Sequence, residues 1–97
     1  MKNFRTYQLA KEFYKVAVGL KMKGSIKNQF DRALLSIPLN LAEGSAKPSS
    51  KERRKFYYIA LGSFREVQTI LELIGNDMLI SQADILGAHL YRLCHGC

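Results

Sequence analysis

The sequence predicts an all-α protein, an antiparallel up-down four-helix bundle, and three observations carry that prediction. Apolar residues recur at steps of three and four along four successive segments. The segments are separated by short stretches holding Gly, Ser, Pro or Asn, and short connections make neighbouring helices antiparallel. With 47 % apolar and 24 % charged residues, the composition is that of a folded globular chain. The 97 residues fit one domain, residues 1–97. A chain of this size buries about 60 to 70 % of the surface it exposes when unfolded, so its core is modest and self-association would add to its stability.

In the first segment Leu9, Phe13, Val16, Ala17 and Leu20 share one helical face, with Gln8, Lys11, Glu12 and Lys15 opposite. Tyr7, Tyr14 and Val18 form a second apolar stripe, wider than one bundle core requires. Lys21 to Ser25, containing Gly24, ends this helix. The second segment places Ile26, Phe30, Ala33, Ile37 and Leu41 at steps of four, three, four and four. Pro38 falls inside it and removes the hydrogen bond to the Leu34 carbonyl, which costs about 3 kcal/mol or kinks the helix. The apolar period crosses the proline without changing phase, so the segment reads as one kinked helix closing at Gly44.

After the loop Ser45-Ala46-Lys47-Pro48, the spacing Ser49-Ser50-Lys51-Glu52 is that of a capping box, in which the serine hydroxyl and the glutamate satisfy free N–H groups of the first turn. Phe56, Ala60, Ser63, Val67, Ile70 and Ile74 then form a heptad seam, widened by Tyr57, Leu61, Phe64 and Leu71. This third helix runs to about Gly75, roughly 38 Å at 1.5 Å per residue. A Ser-x-x-Asp pair, Ser81 and Asp84, opens the fourth, whose apolar side is Ile85, Leu86, His89, Leu90 and Leu93.

The net charge of +7 is uneven. Residues 1–28 carry seven Lys/Arg against Glu12, and residues 47–55 carry five against Glu52, whereas Glu66, Glu72, Asp77 and Asp84 face only Arg92 in residues 66–97. A basic side and an acidic side result, suited to an acidic partner or to contact between copies. The N-terminal residues lack a long apolar run behind their charges, and no apolar stretch approaches the ~18 residues of a membrane span. The expected location is the cytoplasm.

The strongest candidate for function is the basic cluster Lys47, Lys51, Arg53, Arg54 and Lys55 at the start of helix three, joined by Lys11 and Lys15 of helix one. Lys21, Lys23 and Lys27 add to the helix-one charge. Cations at a helix N-terminus oppose its dipole, so the placement is mildly unfavourable for stability alone and favours a role in binding phosphates. Tyr58, on the polar side of helix three, is placed to stack on a base. The competing reading is a solvated face.

Catalytic chemistry is not legible. There is no Gly-x-Ser-x-Gly elbow, phosphate-cradling glycine loop or pair of catalytic carboxylates, so no enzyme activity and no cofactor are expected. Cys94-x-x-Cys97 with His89 and His95 supplies zinc-ligand types, but a tetrahedral site at a chain end without a second Cys pair is a weak signal, and two reduced thiols are the preferred reading. Glu43 is expected to fix the end of helix two by pairing with Arg32 or a backbone amide, and Asn40 to hydrogen-bond a neighbouring element.

The run Arg32-Ala33-Leu34-Leu35-Ser36-Ile37-Pro38-Leu39-Asn40-Leu41-Ala42-Glu43-Gly44 resembles the "RRAxxSIPxNIAEG" signature of a four-helix-bundle family encoded within intervening sequences of bacterial 23S rRNA genes. The segment from Phe56 to Val67, with Gly62-Ser63 at its centre, looks like the family's "FlxiAxGSlxELe" block. The resemblance implies an up-down four-helix bundle that commonly forms a ring-shaped homopentamer. It also implies a relation to basic accessory proteins of diversity-generating retroelements, which bind a reverse transcriptase and nucleic acid. The Gly62-Ser63 pair is then expected where two helices approach closely. Two departures stand out: Asp31 replaces the first arginine of the family's pair, and the last helix is short. The expected function is therefore a non-enzymatic oligomer that binds RNA, DNA or a nucleic-acid-processing partner. The alternative is a purely structural oligomer.

Overall fold

A computed structural model describes residues 4–95 as four helices: α1 Arg5–Ala17, α2 Gly24–Ser45, α3 Ser50–Ile74 and α4 Asp77–His95. α1 packs on α2 and α4, and α3 packs on the same two, so the helices form an up-down square in which α1 and α3 are diagonal. The α2–α3 seam is the most extensive contact, and the bundle measures 40 × 23 × 20 Å.

Phe30, Leu34, Ile37 and Leu41 form a fully buried spine along α2, closed over by Val67 and Leu71 of α3, Leu86 and Leu90 of α4 and Phe13 of α1. Fully burying one such side chain contributes about 1.5 to 3 kcal/mol, and four on one helix explain why α2 is continuous through Pro38. The expected period holds from Phe30 to Leu41, while Ile26, at the exposed end of α2, stands partly out of the core. The phase of α1 differs from expectation. Phe13 and Ala17 are buried as expected, but Thr6 and Ala10 complete the buried line and Val16 is 52 % exposed, because the face turned to α2 and α4 falls between the two apolar stripes, where small side chains let the helices approach. Likewise α4 buries Leu79, Ala83, Leu86, Leu90 and Cys94 and leaves Ile85 outside.

The helix ends show what the sequence pattern concealed. α1 stops at Ala17, before the expected Lys21, and the Lys27 ammonium donates to the Val18 and Leu20 carbonyls, both at 2.7 Å, while pairing with Asp31 at 3.1 Å. A cation on free C-terminal carbonyls stabilises the helix end. Lys27 is thus committed to the fold. Gly44 does not close α2. It is buried inside the last turn, where a Cβ would stand 2.9 Å from both Phe56 Cβ and Tyr57 Cε1, so the glycine permits close approach of α3.

At the start of α3, Ser49 Oγ accepts the Glu52 N–H and donates to Glu52 Oε1, both at 3.1 Å. This is the predicted cap with the carboxylate turned to the hydroxyl. α3 ends at Gly75, φ 74°, whose N–H donates to Glu72 O while the Asn76 N–H donates to Leu71 O. That pair of bonds requires a left-handed residue, which glycine supplies without a Cβ penalty. Asn76 then caps α4 by accepting the Leu79 N–H at 3.0 Å. α4 therefore begins at Asp77, one turn before the expected Ser81, whose hydroxyl bonds back to the Asp77 carbonyl inside the helix.

Candidate nucleic-acid interface

The α2–α3 connection is tied down by two of the five clustered cations. The Arg53 guanidinium donates from Nη1 to the carbonyls of Lys47 and Pro48, at 2.9 and 3.1 Å, and from Nη2 to Ser50 Oγ at 3.1 Å. Lys47 pairs with Glu43 at 3.1 Å and lies 5.3 Å over the Phe56 ring. Lys51, Arg54 and Lys55 are exposed. Three cations of the cluster thus face solvent, while Arg53 and Lys47 bond to the connection that precedes them.

The Phe4 and Tyr57 rings lie 5.9 Å apart, which sets the start of α1 level with a point roughly 10 Å into α3. Arg5 and Arg92 stand near this end of the bundle, and burial, followed by the positive charges of Arg92 and then Arg5, holds His89 below its ordinary pKa. Lys11 and Lys15 do not join the cluster. Lys11 lies 5.5 Å over the Tyr7 ring, and Lys15 is eleven residues beyond Phe4, roughly 16 Å further along a helix diagonal to α3. The charge blocks are rearranged as well. An up-down fold brings Lys21 and Lys23 of the first connection to the same end as Glu72 and Asp77, so the basic and acidic blocks of the sequence do not stay on separate sides.

The motif residues divide by role. Ser36 Oγ and Ser63 Oγ are 2.7 Å apart across the α2–α3 seam, and Asn40 Nδ2 donates to the Ser36 carbonyl at 2.9 Å and to its hydroxyl at 3.0 Å. Asn40 thus bonds within its own helix and reaches α3 only through Ser36. Ser63 is the close-approach residue of the Gly62-Ser63 pair, whereas a Cβ on Gly62 would meet nothing within 4 Å. Glu43 has Lys47 as its partner, three helical turns from the exposed Arg32. Pro38 is half-buried.

Cys94 is buried in the core, His95 lies on the surface between two tyrosines, and Cys97 lies outside the described residues. Among the described residues no group of three His, Cys, Asp or Glu gathers to hold a metal ion, and no helix is long and apolar enough to cross a membrane. Sequence reasoning missed two features. His95 meets Tyr58 ring to ring at 5.5 Å and Tyr91 at 4.3 Å. Gly87 stands where a Cβ would lie 2.8 Å from the Phe64 ring. The four-residue spacing of Tyr91 and His95 was the available signal for the first; nothing local marks the second.

The sequence model of the family described as 23S rRNA-intervening sequence protein matches residues 4–93. No curated protein and no solved structure matches the chain.

Proposed function

The chain belongs to the 23S rRNA-intervening sequence protein family, and from that premise we propose that it is a non-enzymatic, cytoplasmic assembly protein that binds nucleic acid through the basic end of its bundle and associates into a ring of identical copies. The observation that carries the binding is the exposed trio Lys51, Arg54 and Lys55 at the N-terminus of α3, presented by a loop that Arg53 clamps from behind. Cations at a helix N-terminus are unfavourable for the isolated fold and favourable once phosphates neutralise them. A nucleic-acid-processing protein with an acidic surface, such as a reverse transcriptase, would meet the same trio.

Changing Lys51, Arg54 and Lys55 together to Gln is expected to weaken binding to RNA and DNA of any sequence. It should also flatten the log–log salt dependence by about 0.7 per lost phosphate contact on a single strand. Anisotropy titrations at two salt concentrations measure this. Equal binding by wild type and variant, or no binding by wild type at low salt, leaves the purely structural oligomer as the reading.

Two apolar surfaces support self-association. Leu35 and Leu39 of α2 with Ile59 of α3 stand 44 to 58 % exposed on one side of the bundle. Val16 and Ile85 line a cleft of about 280 Å³ between α1 and α4, on the opposite side. Different patches on opposite sides suit head-to-tail contacts, which close into rings when the rotation between copies allows, better than a twofold dimer. Leu39→Lys and Ile85→Lys are each expected to shift the protein from a pentamer-sized species to monomer in light scattering without loss of helicity. A wild-type monomer at micromolar concentration would refute the assembly.

A further inference from the structure

We infer that the outer face of α3 and α4 is a base-stacking track for single-stranded nucleic acid, with Tyr58, Tyr91 and His95 as the platform and the α3–α4 groove below them as the continuation of the track. The inference rests on the nucleic-acid reading above and specifies its ligand, a single strand with accessible bases.

The residues form one continuous strip. On α3, Lys51, Arg54, Tyr58 and Arg65 follow one another at steps of three, four and seven, which keeps them on one helical face over roughly 21 Å. On α4, Tyr91 and His95 are one turn apart, with ring centroids at 4.3 Å. Across the seam, His95 meets the Tyr58 ring edge-on at 5.5 Å, and Tyr58 Oη lies 3.5 Å from His95 Nδ1. Both tyrosines remain half exposed, at 46 and 54 %. Large aromatic surfaces held this open gain little from the core, and the contacts between the rings fix their orientation before a ligand arrives.

Below the rings lies a groove of about 210 Å³ lined by Phe64, Arg65, Gln68, Asp84, Gly87 and Tyr91. The Phe64 ring edge stands 2.8 Å from where a Cβ on Gly87 would lie, so α3 and α4 approach closely here and the ring, 3 % exposed, closes the floor of the groove. Arg65, Gln68 and Asp84 supply donors and acceptors around that floor, the chemistry that base edges require. The order of the strip is therefore cations, exposed rings, then a slot with polar walls. Single-stranded binding uses these components, phosphate attraction along a groove with bases stacked on aromatic rings, and every base has a π-face to offer. A duplex hides those faces. The cations alone would bind either form, so the exposed rings favour the single strand.

The test titrates a fluorescein-labelled oligouridylate and a duplex of equal length at low and moderate salt, with wild type, Tyr58→Ala, Tyr91→Ala and Tyr58→Phe. Each alanine variant is expected to bind the single strand about five- to a hundredfold more weakly with the salt slope unchanged, since a ring and not a phosphate contact is lost. Tyr58→Phe, which keeps the ring, should retain wild-type affinity, and duplex binding should not respond to any of the three. The chain has no Trp and five Tyr, so the part of the tyrosine quenching by unlabelled oligouridylate that is lost in the two alanine variants reports stacking on those rings. Helicity measured by circular dichroism separates lost stacking from a lost fold. If the alanine variants bind as wild type does while the triple Lys51/Arg54/Lys55 variant is weakened, the track is refuted and the phosphate reading stands. Equal weakening on single strand and duplex also refutes it. Failure of wild type to bind either probe refutes both readings.

Discussion

Gly44→Ala is expected to lower stability by about 1 to 3 kcal/mol, while Gly62→Ala raises it by up to about 1 kcal/mol. Both glycines are helical, Gly62 in the middle of α3 and Gly44 in the last turn of α2; alanine is intrinsically favoured by about 1 kcal/mol in a helix interior and by less at its end, so a loss at Gly44 reports packing. At Gly44 the new methyl would meet Phe56 Cβ and Tyr57 Cε1 at 2.9 Å and the Arg53 carbonyl at 3.2 Å. Two of these atoms belong to the α3 backbone or its first side-chain carbon, so relief requires the helices to part along their largest contact. At Gly62 nothing lies within 4 Å and only the helix gain remains. Urea denaturation at one fixed protein concentration measures both, the concentration being held because association adds to apparent stability. A neutral or stabilising Gly44→Ala would mean that α2 and α3 are not held this closely.

Ser63→Leu is expected to cost about 2 to 4 kcal/mol although it makes the α3 seam more apolar. The Ser63 hydroxyl stands 2.7 Å from that of Ser36, so there is no room for the added carbons, and overpacking of this kind costs about 1 to 3 kcal/mol. The Ser36 hydroxyl would also lose its partner on α3, a further loss of about 1 kcal/mol. Ser63→Ala is the control, since it removes the hydrogen bond without adding volume and should cost only the smaller amount. Thermal unfolding of the two variants distinguishes the contributions. An unchanged melting temperature for Ser63→Leu would place that side chain against open space, and equal losses for both variants would assign the effect to the hydroxyl pair alone.

Much of the bundle was legible because its signal is local. The α2 spine from Phe30 to Leu41 and the cap at Ser49 and Glu52 follow from spacings within a few residues, and the structure reproduces both. Gly75 marked the end of α3 for an equally local reason, its left-handed φ. Gly44 misled the same reasoning: a glycine near a helix end suggests a cap, and only the presence of Phe56 and Tyr57 across the seam shows that its role is to admit another helix. Val16 and Ile85 misled it too, since apolar spacing fixes the inward face of a helix only to within one neighbouring row, and the small residues Ala10 and Ala83 took the buried places instead.

The candidate site divides in the same way. Sequence alone determined the helical architecture, the family blocks from Arg32 to Val67 and the cluster of cations at the start of α3, because period, motif and charge are properties of the chain itself. Which cations remain open to a ligand was decided by the tertiary structure. Lys27 is drawn to the end of α1, Lys47 to Glu43 and Arg53 to the loop carbonyls, while Lys51, Arg54 and Lys55 stay in solvent. The convergence of Tyr58 with His95 was likewise decided there, across thirty-seven residues of sequence. Partners of that separation meet only when antiparallel packing sets the register of one helix against the next, and that register depends on where Gly44 and Gly87 let the helices approach.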